Sequence, residues 1–148
     1  MLYKTNKKEI RTNDFKNEKE LANYTKINIK KFTEDILEDE LISFEFEKKI
    51  IKREKTQRHK RIDLYVVGKK GKYIIEFKNP TWNNENLNAI GQLLNYGRQF
   101  TDSKKELVLI STLFDEETAR TIKYYNLPIR FIYFDKEKSL EYLGDEYD

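Results

Sequence analysis

Three side chains with the means to do chemistry sit close together in this sequence. Asp63 lies in the run Arg61-Ile62-Asp63, and Glu76 and Lys78 lie in Ile74-Ile75-Glu76-Phe77-Lys78. Both runs have the pattern of strands, and Gly68-Lys69-Lys70-Gly71 between them reads as a hairpin turn. Alternation puts Tyr73, Ile75 and Phe77 on one face of the second strand and Lys72, Ile74, Glu76 and Lys78 on the other. Asp63 shares its side with Tyr65 and Val67. Apolar residues on both faces imply a sheet covered on both sides, so the acids lie inside or at the rim of a covered layer. An unpaired carboxylate is costly there. If the hairpin register brings them level, two carboxylates and one ammonium converge. The bland outcome is an ion pair, Asp63 with Arg61 or Glu76 with Lys78. The chemical outcome is an oxygen-rich corner, completed by a neighbouring backbone carbonyl, that suits Mg²⁺. A lysine two residues on could then orient a water and help lower its pKa for attack on phosphorus.

The composition removes most competing chemistries. The chain has no cysteine, which excludes a disulfide scaffold, a thiolate metal site and a cysteine nucleophile. Its one histidine, His59, leaves no basis for a His-rich zinc site or a Ser-His-Asp triad. The 148 residues suit one domain, 1–148, with a core over about 15–134. Charged residues reach 37%, but the nineteen Tyr and Phe argue for a packed interior over a disordered chain. Apolar stretches such as Ile129 to Phe134 are strand-sized, so no membrane span is expected, and MLYKTNKKEI does not read as a secretory signal. The expected setting is soluble and cytoplasmic, nucleoid-associated if cellular.

The elements that must position these groups follow from periodicity. A first helix is expected from about Phe15 to Leu37, with Leu21, Ala22, Thr25, Ile29, Phe32 and Ile36 on one face and a break in the middle allowed. Leu41 to Ile51 alternates as a half-buried strand, with Ile42, Phe44 and Phe46 inward. Strands over Arg61 to Val67 and Lys72 to Lys78 follow, the second stopped by Asn79-Pro80. A helix over Asn84 to Phe100 should bury Leu87, Ile90, Leu94 and Gly97. A strand over Glu106 to Ser111, a helix over Asp115 to Tyr125 that Asp115 could cap, and a strand over Ile129 to Phe134 complete the order αβββαβαβ. That order implies an α/β fold with a mixed sheet and helices on both faces. The last fourteen residues, with six acids and two lysines, read as an acidic, frayed tail.

Taken together, Asp63, the Glu76-x-Lys78 strand and this element order resemble the PD-(D/E)XK nuclease superfamily. Within it, the nearest likeness is to RecB-like and archaeal branched-DNA endonucleases, which follow E-x-K with a helix bearing Gln-x-x-x-Tyr. Here that helix reads Gly91-Gln92-Leu93-Leu94-Asn95-Tyr96. The resemblance covers roughly Asn17 to Phe134 and implies a restriction-endonuclease-like αβββαβ core. It implies a Mg²⁺-dependent deoxyribonuclease, with Mn²⁺ able to substitute. Asp63 and Glu76 would be metal ligands together with the carbonyl of Phe77, and Lys78 would position the water. Gln92 and Tyr96 would line the site or hold the DNA backbone. The family also places an acid on the first helix, for which Glu18 is the choice and Glu20 the alternative. The residue before Asp63 is Ile62, where the family motif has Pro.

The partner expected from charge is DNA. Lys48, Lys49, Lys52, Arg53, Lys55, Arg58, Lys60 and Arg61 face a single acid, Glu54, over fourteen residues. They suit a phosphate backbone read with little sequence preference. The same lysines could instead guard an edge strand. Arg98 is a further phosphate contact by position, His59 a solvated or phosphate-contacting residue, and Trp82 a loop residue that packs on the sheet edge or stacks on a base. Gly68-Lys-Lys-Gly71-Lys72 lacks the spacing of a phosphate loop. A chain with no second reading domain would take its specificity from DNA structure or from a homodimer with two active sites on opposite strands. Two alternatives stay open: a catalytically silent DNA-binding module, and an accessory subunit of a restriction, repair or recombination complex.

Overall fold

The computed structural model describes residues 15–49, 61–81, 84–99, 105–113, 115–135 and 139–142. Helix α1 (Glu18–Ile27) opens at Asn17, whose side chain accepts from the Glu20 amide at 2.9 Å. The expected break falls at Asn28, where the chain leaves helical geometry before the short turn α2 (Ile29–Lys31). A π-helical segment, Phe32–Ile36, follows. The remaining elements are β1 (Leu41–Lys49), β2 (Arg61–Gly68), β3 (Lys72–Lys78), α3 (Glu85–Gln99), β4 (Lys105–Ser111), α4 (Glu116–Tyr124), β5 (Ile129–Asp135) and β6 (Ser139–Tyr142). The order αβββαβαβ is therefore present, and Asp115 caps α4 through the amides of Glu117 and Thr118.

The strands lie side by side in chain order, β1 to β6. β1, β2 and β3 are antiparallel, β3, β4 and β5 parallel, and β6 returns antiparallel to β5. The sheet is thus mixed. One core lies between it and α1, α2 and the π segment, with Leu21, Phe32, Leu64, Ile75, Phe77 and Ile110 at its centre. The other lies under α3 and α4, with Ile62, Ile74, Leu93, Leu109, Ile122 and Phe131. Helices cover both faces, as the two-sided strands require.

Three expectations about particular residues need correction. Ile42 and Phe44 are 64% and 40% exposed, so β1 is an edge strand whose outer apolar residues α1 does not reach. Helix α3 turns Leu87, Ile90 and Gly97 of its expected face to the core, but Leu94 is exposed, and Leu93, with Ala89 and Tyr96, is buried instead. Gly97 permits the close approach, because a Cβ there would meet the Leu107 side chain at 3.1 Å. Finally, the segment expected to fray contains β6, whose Ser139-Leu140-Glu141-Tyr142 alternation was masked by its acidic surroundings.

The β2–β3 turn is held by a residue that periodicity does not mark. Asp39, buried just after the π segment, accepts from the amides of Glu40 at 2.7 Å, Lys70 at 3.0 Å and Gly71 at 3.2 Å, and from the Tyr73 hydroxyl at 2.7 Å. Gly68 is glycine for this reason. Its φ is not positive, but a Cβ would stand 2.1 Å from Asp39 Oδ2. Burial raises the Asp39 pKa, yet the hydrogen bonds from Tyr73, Lys70, Glu40 and Gly71 outweigh it and hold the carboxyl below its ordinary value of 3.8. The stabilisation is therefore fully present above that value and is lost as pH falls through the lower folded one. Asp39→Asn keeps the shape and loses acceptors, so it should destabilise the fold by about 2–3 kcal/mol at pH 7. In chemical denaturation the gap between the variants should narrow below about pH 4, and an undiminished gap would contradict this role.

Candidate active site

The end of the sheet where β3 and β4 finish gathers the polar groups. The β2–β3 ladder runs from Val67–Lys72 to Leu64–Ile75 and stops one pair short of Asp63–Glu76. Beyond it, the Phe77 amide donates to Asp63 Oδ2 at 2.9 Å, so a side chain replaces the backbone partner. The alternation of β2 breaks at the same point. Leu64 packs on the α1 side, but Ile62, two residues away, packs under α3. On β1, Glu47 lies across from Asp63 between the Phe46–Leu64 and Lys48–Ile62 pairs and has φ 51, a left-handed conformation that re-aims the strand. The break sets Asp63 beside Glu76.

Glu76 is 4% exposed and within hydrogen-bonding reach of Asp63, one acceptor against another. Its Oε2 is buried and meets no donor among the described residues. Burial first, then the hydrogen bond and charge of Asp63, push the Glu76 carboxyl up to about 10, against the lowering pull of Lys78. Near neutral pH this pair therefore holds a proton. Lys78, mostly buried, points its ammonium at Glu18 Oε1, 3.9 Å away. Burial raises the Glu18 pKa; Lys78 opposes the rise, and the charges of Asp63 and Glu85 add to it. Of the two first-helix acids considered, Glu18 is the one that faces the cluster, while Glu20 is the residue whose amide Asn17 caps.

The α3 residues divide. Tyr96 is buried, and burial followed by the charges of Glu76 and Asp63 pushes its hydroxyl up to about 12, so it stays a protonated donor. Gln92, one turn earlier, is exposed. Phe77 contributes its amide to Asp63, and its side chain is in the α1-side core. The sequence reading missed Glu85, whose Oε1 accepts from the Thr81 amide at 2.9 Å and the Thr81 hydroxyl at 3.0 Å. No capping pattern marks it: Thr81 stands four residues before Glu85, which is itself the first residue of α3, where a capping box needs a spacing of three from the cap.

Of the basic block, Lys48, Lys49 and Arg61 are described; Lys52, Arg53, Lys55, Arg58 and Lys60, like His59 and Trp82, lie outside the described residues. Lys48 sits 5.3 Å from the Tyr65 ring centre and 3.8 Å from Glu45. Arg61 is 3.8 Å from Glu47, Lys49 is exposed, and Arg98 donates to Asn95 at 2.9 Å. Of these, Lys48 and Arg61 are partly compensated by neighbouring acids. Among the described residues no helix is long and apolar enough to cross a membrane.

The orphaned Oε2 of Glu76 against Asp63 fits a divalent cation, which would supply the positive charge that two adjoining acceptors lack. Among the described residues no three His, Cys, Asp or Glu side chains are grouped to hold a metal alone. A Mg²⁺ ion, which keeps several waters, does not require three. Compared with protein-family models, curated proteins and solved structures, the chain matches none, so the chemistry of the site has to be read from its own geometry.

The raised Glu76 pKa has a sign that can be tested without catalysis. The group is neutral in both folded and unfolded chains below its ordinary value of 4.5, and stability falls as pH rises toward about 10 because only the unfolded chain ionises freely. In EDTA at pH 8.5, Glu76→Gln should therefore be more stable than wild type by roughly 1–3 kcal/mol. The difference should vanish near pH 4.5. A variant less stable than wild type at pH 8.5 in thermal unfolding would show that Glu76 sits there as a paired, ionised anion.

Proposed function

We propose that this chain is a Mg²⁺-dependent deoxyribonuclease with a restriction-endonuclease-like fold, hydrolysing phosphodiester bonds. The observation that carries the reading is the buried Glu76 carboxyl against Asp63 with Oε2 unmatched, next to Lys78 and Glu18. The resemblance to the PD-(D/E)XK superfamily supports it from the sequence side. Asp63, Glu76 and the Phe77 carbonyl would hold the ion, which when bound supplies positive charge at the scissile phosphate.

The protein's own groups then have distinct tasks. Lys78 donates to the attacking water and aligns it with phosphorus. Glu18, in turn, holds the Lys78 ammonium in place. Tyr96 keeps its proton and offers a hydroxyl donor from beneath the carboxylate pair. Gln92, exposed one turn nearer the start of α3, is free to meet the DNA backbone. Lys48 lies over Tyr65, which is level with Ile74 on the Glu76 side of the sheet, so it suits a phosphate approaching that face. Binding of this kind is steeply salt-dependent and reads DNA structure more than sequence.

A silent DNA-binding module or accessory subunit is the second reading. One observation favours it: Asp63 Oδ2 is already engaged by the Phe77 amide, and no three acids are grouped as ligands among the described residues.

A cleavage panel separates the two. Supercoiled plasmid, linear duplex, single strand, flap and four-way junction are incubated with Mg²⁺, Mn²⁺ or EDTA. Metal-dependent cutting is expected, reduced roughly a thousandfold in Glu76→Gln and Lys78→Ala. Binding without cutting in every lane would sink the catalytic reading and leave the second.

A further inference from the structure

We infer that Asn79 is a positioning residue: it ties the chain leading into α1 to the ends of β3 and β4, and so sets Glu18 against Lys78. The inference rests on the nuclease reading and names what aligns its groups. Asn79 follows Lys78 directly and is 5% exposed. Its Nδ2 donates to the Phe15 carbonyl at 3.3 Å, and its Oδ1 accepts from the Thr112 hydroxyl at 2.7 Å. Thr112 is fully buried, and its amide donates to the Lys78 carbonyl at 3.1 Å. Three segments far apart in sequence thus meet at one side-chain amide.

The amide is required in both its halves. A carboxylate would lose the donor to Phe15, and an apolar side chain would lose both that bond and the one from the Thr112 hydroxyl. Phe15 stands two residues before the α1 cap, Asn17, and three before Glu18. Leu21 holds α1 to the sheet by apolar contact, which is non-directional and tolerates small slides and rotations of the helix. The hydrogen bonds of Asn79 are directional and act at the end of α1 that bears Glu18. Glu18 and Lys78 meet at 3.9 Å, a separation that a small shift of the helix would alter.

Thr112 offers a test that touches no group facing the substrate. Thr112→Val removes the donor to Asn79, and Thr112→Ser keeps it. Kinetics are measured on the best wild-type substrate, well below the melting temperature of each variant. Thr112→Val should lower kcat by about tenfold or more. KM should stay within about twofold of wild type, and Thr112→Ser should restore the rate. Glu18→Gln should lower kcat in wild type but add little in the Thr112→Val background, because the pair is already misaligned. Mn²⁺ affinity by calorimetry should match wild type in Thr112→Val, since Asp63 and Glu76 are not moved. A lowered melting temperature with kcat unchanged, independent effects of Glu18→Gln and Thr112→Val, or lost Mn²⁺ affinity would each overturn the inference. Should Thr112→Val fail to fold, Asn79→Ser, which breaks the same bridge, replaces it. A wild-type chain that cuts nothing overturns the nuclease reading and takes this inference with it; one that cuts but fails these tests overturns this inference alone.

Discussion

Two carboxyl groups brought together away from water cannot both be ionised unless something positive lies between them. At a few ångströms and the effective dielectric of a protein rim, their repulsion is on the order of several kcal/mol. Asp63 and Glu76 are held in that arrangement, and the surrounding structure maintains it. β2 leaves its ladder with β3 just before the pair, the Phe77 amide fixes Asp63, and Glu47 takes a left-handed conformation opposite. Tyr96 stays protonated beneath. Lys78 lowers the Glu76 pKa but does not cancel the rise, whose largest cause is burial, followed by Asp63. A proton satisfies the pair in the isolated chain, and a divalent cation would balance both carboxylates while keeping coordination positions open for water or a phosphate oxygen.

An arrangement so poor in local stability needs a rigid frame, and the two-sided sheet provides one. Ile74, Leu109 and Phe131 are packed under α3 and α4, while Ile75, Phe77 and Ile110 are packed under the α1 side. The strand that carries Glu76 is thus fixed on both faces. At the other end of the hairpin, the Asp39 carboxylate binds the β2–β3 turn and Tyr73. The costly polar contact of β3, the buried Asp63–Glu76 pair, lies at one end of the strand, and the Asp39 contacts stabilise the other.

How far the sequence could be read depended on the kind of interaction. Hydrophobic pattern placed the elements, α3 and α4 by helical spacing and β4 and β5 as short apolar runs. Asp63, Glu76 and Lys78 stand out because charges in a two-sided strand conflict with burial, and Glu18 shares a helical face with Leu21 and Thr25. The period failed where it was nearly symmetric. In α3, both Leu93 and Leu94 fit an apolar face, and packing on the sheet buries Leu93 and leaves Leu94 exposed. It failed again in β1, where alternation promised burial but no helix reaches Ile42. Asp39 and Asn79 were hidden because their distant partners are backbone groups or side chains brought near only by the fold. Such partners leave no periodic trace in a single sequence.

With Asp63 and Glu76 as ligands, the pair would exchange a proton for a divalent cation. Isothermal titration of Mn²⁺ near pH 7 in two buffers of different ionisation enthalpy measures that exchange directly. The account predicts saturable binding that releases about one proton per ion, absent in Glu76→Gln. Mn²⁺ binding with no proton released, or binding that survives Glu76→Gln unchanged, would contradict it.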